Sequence, residues 1–298
     1  MRFFSDTKIE FINMRKMGYG ISATLIAISI ISLILHGGPK YNIDFTGGTL
    51  VHLKFEKNVE IQNLRSALAT EGQGDAEIKH FGGLNEVAIR TMGEGTTDQE
   101  ISILIENLIQ KALPDNPFVV QRVEKVGPKI GRELISQALQ AIFWSMLLIL
   151  IYIMWRFEFK FSVGAIIALL HDITITLGVF SIFDIEISAP IIAAVLTIVG
   201  YSLNDTIVVY DRIRENLKAS KKNIAELPST VNRSINETLS RTIVTSGTTL
   251  IVVAVLYFFG GEVLRTFALA IIIGIVIGTY SSIFVASPIV VDWKTKKA

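Results

Sequence analysis

Ile187–Tyr210 reads ISAPIIAAVLTIVGYSLNDTIVVY, 24 residues whose only charge is Asp205. A helix needs about 20 predominantly apolar residues to cross a bilayer core. This stretch therefore reads as a membrane span that carries a carboxylate with it. Met17–Leu35, Leu134–Trp155, Thr242–Gly261 and Thr266–Val291 hold no charge at all, and Phe161–Phe183 is interrupted only by His171 and Asp172. Together these runs predict an α-helical polytopic membrane protein with six transmembrane helices, at 18–36, 134–155, 161–183, 187–210, 242–261 and 266–291. The first run is longer than a signal-peptide core and is followed by His36-Gly37-Gly38-Pro39, with no A-x-A-like site, so it reads as an uncleaved anchor.

Composition excludes several classes. Of the 298 residues 50% are hydrophobic and 18% charged, against about 25% charged in a typical globular domain. A net charge of +1 argues against a nucleic-acid binder built on a basic excess. The absence of cysteine removes disulfides, thiolate metal sites and cysteine nucleophiles, and four scattered histidines speak against a zinc site. Neither H-E-x-x-H nor a P-loop occurs, so no metal and no ATP site is expected. Gly200-Tyr-Ser202-Leu-Asn204 lacks the second glycine of a nucleophile elbow. Catalytic residues are therefore expected to be none, and an enzyme is disfavoured. Gly274-Ile-Val-Ile-Gly278 reads as a helix-packing seam.

Orientation follows from lysine and arginine. The N-terminal tail 1–17, the turn with Arg156 and Lys160, the loop 211–241 and the C-terminal tail 293–298 hold 16 basic residues. The two short loops on the opposite side hold Arg265 beside Asp184, Glu186 and Glu262. Both termini are therefore expected in the cytoplasm, with 37–133 as an extracytoplasmic domain. That segment carries 11 basic and 14 acidic residues, which long translocated loops tolerate.

Within 37–133 the apolar period switches repeatedly. Thr49–Phe55 alternates as a strand, and Ile61, Leu64 and Leu68 mark a helix over Val59–Glu71. Ala76–His80 and Glu86–Arg90 flank Gly82-Gly83 as a hairpin. Thr97 is the expected N-cap of a helix over Thr97–Leu113, with Glu100 at N3. Phe118–Val126 alternates again. The order β-α-β-β-α-β predicts a ferredoxin-like α+β domain, which by itself does not specify function.

Only two acidic residues fall inside the spans, Asp172 and Asp205. A carboxylate at the bilayer centre costs about 2.5–3.5 kcal/mol on insertion scales, so each calls for a partner or a function. Thr197, Tyr201 and Asp205 share one helix face, with Asn204 and Thr206 beside them. Arg241, at the mouth of the next span, is the expected ion partner, and Thr242, Thr245, Ser246, Thr248 and Thr249 line that span with hydroxyls. A proton relay and a polar cluster that glues helices both fit this pattern. His171 and Asp172 form a secondary candidate, as a packing pair or a titrating one.

Three stretches resemble the SecD/SecF family. Asp44-Phe45-Thr46-Gly47-Gly48-Thr49 is similar to the signature that opens its outer domain. Gly200-Tyr-Ser-Leu-Asn-Asp205-Thr-Ile-Val-Val-Tyr-Asp211-Arg212-Ile-Arg-Glu-Asn216 resembles its SecF-type fourth span, and Asn236-Glu-Thr-Leu-Ser-Arg241-Thr-Ile-Val-Thr-Ser246 its fifth. The resemblance extends to six spans and one outer domain. It implies a subunit of the resistance-nodulation-division superfamily in the cytoplasmic (inner) membrane that pairs with SecD. Such a complex works beside the SecYEG channel, with YajC and YidC as further associates, and uses the proton-motive force to draw a preprotein out. It implies Asp205 as the proton carrier, Arg241 as its partner and Asp44–Thr49 as the link between first span and outer domain. Gly47-Gly48 also reads as a plain turn into the strand. Rival readings are a small-molecule exporter of the same superfamily and a structural subunit that stabilises a channel. Beyond proteins the expected partner is membrane lipid, and no nucleic acid.

Overall fold

The structure, a computed structural model, describes residues 7–69, 76–91, 98–219 and 226–295. Thr97, Arg2, Lys221, Lys222, Lys296 and Lys297 lie outside the described residues. The chain divides into two compact units, Met1–Lys40 with Leu139–Ala298, and Tyr41–Ala138.

The smaller unit begins with a one-turn helix α2 (Ile43–Thr46), which follows the long helix α1 (Arg15–Leu35). Strand β1 (Gly48–Phe55), helix α3 (Ile61–Ala69), strands β2 (Glu77–Phe81) and β3 (Gly83–Thr91), helix α4 (Asp98–Ala112) and strand β4 (Phe118–Val126) then follow. The strands form one antiparallel sheet in the order β2-β3-β1-β4. Alternation in β1 explains its central place. Val51, Leu53 and Phe55 point to one face, where Leu64 and Leu68 of α3 and Ile105 and Ile109 of α4 close the core. The alternation in β4 breaks at a bulge: His52 pairs with Arg122 but Leu53 with Val120, so Gln121 is the extra residue. Phe118 and Val120 consequently pack on the core while Val119 is left exposed.

On the other face of β1, His52 meets the edge of Phe81, ring centroids 4.5 Å apart, and lies 3.8 Å from Glu86. Burial holds its pKa below the ordinary 6.5, and Glu86 opposes that shift. The unfolded chain therefore binds this proton more readily than the folded one. The stability tied to neutral His52 is fully present above pH 6.5 and is lost as pH falls through the folded-state value. In the full chain, hydrogen exchange of β1 relative to a His52→Gln variant is expected to accelerate on acidification. Equal pH dependence in both chains would count against it.

The larger unit holds α1, the part of helix α5 (Pro128–Arg156) from Leu139 onward, and helices α6 (Phe159–Ile182), α7 (Ala189–Ala219), α8 (Leu227–Phe259) and α9 (Gly261–Ser281). A π-helical turn at Ser282–Ala286 leads into α10 (Ser287–Thr295). Six segments, Arg15–Leu35, Lys129–Arg156, Phe159–Ile182, Ala189–Ala219, Leu227–Phe259 and Val263–Trp293, are long and apolar enough to cross a membrane. Lipid is as apolar as leucine, so such helices associate through close packing and hydrogen bonds. The buried residues of α1 are accordingly Gly18, Ser22, Ser29 and Ser32. A Cβ on Gly178 of α6 would collide with Ser29, and Ser32 and Ser181 share a hydrogen bond of 2.8 Å. Gly274 and Gly278 of α9 press in the same way on Ile198 and Ser202 of α7. Large residues of α5 such as Phe143, Trp144, Leu148 and Trp155 remain exposed.

The segment 211–241, expected as a loop, is largely helical. Both α7 and α8 continue beyond their apolar runs because apolar residues persist at fourfold spacing. Ile213 buries with Leu227, Val231, Ile235 and Leu239. Asn232 and Asn236, one turn apart on α8, then grip the N-terminal segment, each accepting from and donating to its backbone at Ile9 or Ile12.

Candidate functional site

Asp205 sits on α7 with 2% of its surface exposed. Two hydroxyls reach its Oδ2, Ser246 of α8 at 3.3 Å and Thr279 of α9 at 3.4 Å, and these two share a 2.8 Å hydrogen bond. The carboxyl is thus held at the junction of three helices by donors that are all neutral. Tyr201, one turn earlier on α7, donates to the carbonyl of Thr245 and the hydroxyl of Thr249, which fixes α7 against α8. Such a group can gain or lose a proton without breaking a buried ion pair. Protonation adds a hydrogen to a cluster already made of hydroxyls.

The expected direct pairing with Arg241 is not observed. Arg241 is exposed on α8, within electrostatic reach of Asp205 but in no ion pair with it within 4 Å among the described residues. The reason is helix phase: Arg241 and Ser246 are five residues apart, about 140° around the axis. The turn that aims Ser246 at Asp205 swings Arg241 away. Asn204 is likewise exposed, whereas Thr206 is buried. Thr245 and Thr248 direct their hydroxyls back to carbonyls of their own helix, and so does Thr249. Of the expected relay residues, only Ser246 touches the carboxyl.

Thr279 was legible in principle. Thr279-Tyr-Ser-Ser282 places four hydroxyl residues in succession in an otherwise apolar span. The same run supplies Ser281, which with Ser202 and His171 surrounds Asp172. Asp172 is fully buried and more completely hydrogen-bonded than Asp205. The π-helical turn begins at Ser282, where Ser287 donates to the Ser282 carbonyl. Wide turns of this kind often mark functional stretches.

Three further residues of the long α7 motif make contacts to other helices. Asp211 accepts from Arg156 at 3.0 Å, Arg212 donates to Glu237 at 2.6 Å, and Asn216 ties Ser234 and Glu237 at 2.9 and 2.7 Å. They brace the extended ends of α7 and α8.

Asp44–Thr49 lies wholly in the smaller unit. Asn42 caps α2 by accepting from the backbone N–H of Asp44 and donating to its carboxylate. Phe45 is buried, and Arg90 of β3 donates to Thr46. Gly47 and Gly48 adopt φ of 76° and 122°, conformations that favour glycine. A Cβ at Gly48 would also stand 2.9 Å from the Thr91 carbonyl. Gly48→Ala is expected to destabilise the sheet by about 1–3 kcal/mol. Hydrogen exchange of β1 and β3 in the full chain measures it, and unaltered protection would refute the steric argument.

A family model described as protein export membrane protein SecD/SecF, C-terminal, matches residues 106–296. A relative named protein translocase subunit SecF from Desulfurispirillum indicum is 49% identical, covering 97% of this chain and 92% of that one. One of the same name from Rhodothermus marinus is 45% identical over 100% and 97% of the two chains. The crystal structure of SecDF, a translocon-associated membrane protein from Thermus thermophilus, superimposes with a TM-score of 0.88 at 41% identity over 98% of this chain. The present chain spans 40% of the length of that SecDF chain.

Proposed function

The chain belongs to the SecD/SecF family of protein-export membrane proteins, and on that premise we propose that it is the SecF-type subunit of a SecDF complex that uses the proton-motive force to promote translocation and release of a preprotein through the Sec channel. It is a multi-pass membrane protein with a role in protein transport. In this reading it lies in the cytoplasmic membrane with both termini inside, as its basic residues favour. The β-α-β-β-α-β unit is then a ferredoxin-like domain on the outer face. SecD supplies the other six spans, SecYEG the channel, and YajC and YidC act nearby. Protons are the energy source, and the chain has no catalytic role.

The observation that carries this reading is the burial of Asp205 among neutral hydroxyls at the junction of α7, α8 and α9. Isolated carboxylates are expensive in a membrane and mark ion and proton pathways. Arg241 acts in this reading as a nearby positive charge that biases Asp205 without touching it. Asp44–Thr49 stiffens the entry to the outer domain, so that rearrangement of the helices can be transmitted there. The test is gradient-dependent export of a secreted protein into inverted vesicles carrying Asp205→Asn. Unchanged export would leave the chain as a structural subunit.

A further inference from the structure

One buried ionisable pair has no part in this mechanism. Asp172 and His171 lie in the middle of α6, 0% and 3% exposed. Asp172 Oδ1 is 2.8 Å from His171 Nδ1, and its Oδ2 accepts hydroxyls from Ser202 of α7 at 2.5 Å and Ser281 of α9 at 2.9 Å. Beyond the ring, His171 Nε2 is 3.1 Å from Ser22 Oγ of α1, and Ser22 is 3.1 Å from the Tyr280 hydroxyl of α9. Tyr280 is in turn 2.7 Å from the Gly18 carbonyl. The line Asp172–His171–Ser22–Tyr280–Gly18 therefore has four contacts, and each needs one hydrogen.

The hydrogens can be counted. A carboxylate with a neutral imidazole supplies one N–H, and Ser22 and Tyr280 supply one O–H each. Three hydrogens cannot fill four contacts. One further proton fills them all, whether the pair is imidazolium with carboxylate or imidazole with carboxylic acid. From His171 Nε2 onward every donor then points the same way, through Ser22 and Tyr280 to the Gly18 carbonyl. The filled line also leaves the pair without net charge, which a membrane interior favours. Among the described residues no lysine or arginine pairs with Asp172. The titratable groups nearby are Tyr280 from α9 and, one turn along α7 from Ser202, Asp205; α1 brings Ser22 and Gly18.

We propose that His171 and Asp172 form a second proton-binding site that holds one shared proton, and that its occupancy decides whether α1 stays hydrogen-bonded to α9 through Ser22 and Tyr280. On loading, Nε2 takes the proton and the hydrogen on Nδ1 stays there or passes to Asp172 Oδ1. The pair gains one proton and nothing else changes. On unloading, the Nδ1 hydrogen stays directed at the carboxylate and bare Nε2 accepts the Ser22 hydroxyl. Tyr280 then has one hydrogen for its two contacts, to Ser22 and Gly18, and one link between α1 and α9 opens. Ser202 and Ser281 tie the pair to the two helices that also carry Asp205 and Thr279. Proton binding at this pair stands independently of the export mechanism; only its consequence for export rests on the proton-driven reading above.

The experiment is a pH titration of the purified full chain in liposomes, followed by infrared difference spectroscopy with ring-labelled histidine. An Asp205→Asn background silences the other intramembrane carboxyl. A coupled imidazole and carboxyl signal is expected, and it should vanish in Asp172→Asn and in His171→Gln. Ser22→Ala, a mild change that keeps the pair, should require about tenfold more protons for half-loading, the effect of one hydrogen bond to a charged group. Identical titrations with and without Asp172→Asn overturn the proposal, as does a signal indifferent to Ser22→Ala. Export measured on the Asp205→Asn chain alone judges the proton-driven function separately, whatever the pair does.

Discussion

Replacing Asp205 by asparagine is expected to bring gradient-driven export down to the rate measured without a gradient, while the chain still inserts and assembles. One elementary charge crossing 100 mV releases about 2.3 kcal/mol, a bias of roughly fifty-fold on a two-state equilibrium. An amide does not exchange a proton near neutral pH, so that whole bias is lost. Packing should survive the change. The amide oxygen can still accept from Ser246 and Thr279, and the variant avoids the cost of about 2.5–3.5 kcal/mol that an intramembrane carboxylate carries. Lost gradient dependence in an intact complex therefore reports the proton and not the fold. Full gradient dependence in Asp205→Asn would make the residue a packing element.

The second large effect concerns α1. With Ser32 and Ser181 2.8 Å apart and no cysteine in the chain, a Ser32→Cys, Ser181→Cys pair is expected to oxidise almost completely to a disulfide between α1 and α6. Adding Gly178→Leu should reduce that cross-link to background. The small residues of α1 leave no room for a side chain there, since even a Cβ at Gly178 would strike Ser29. Overpacking a tight contact costs about 1–3 kcal/mol, and α1 has no buried large apolar residue with which to resist separation. Undiminished cross-linking in the triple variant would show that α1 is held by something other than this seam. The same displacement would pull Ser22 from His171, so infrared titration of Gly178→Leu offers a second view of the proton-binding pair.

These expectations also show where sequence reading stops. The six spans were legible because a bilayer imposes a length and a polarity on any helix that crosses it. The strands and helices of residues 41–138 were legible because a half-buried strand alternates and a half-buried helix repeats at 3.6 residues. Asp205 and Asp172 stood out as the only carboxyls in apolar runs. The partners of those carboxyls were not legible. Helix phase decides them, and it depends on how neighbouring helices pack. Phase turned Arg241 outward and Ser246 inward, brought Thr279 to Asp205, and gathered Ser22, Ser202, Tyr280 and Ser281 around His171 and Asp172 from three other helices. The sequence by itself determined which segments cross the membrane and which charges they bury. Only the tertiary structure decided which hydroxyls meet those charges, because hydrogen bonds between helices follow from rotation about their axes, which no spacing within one helix records.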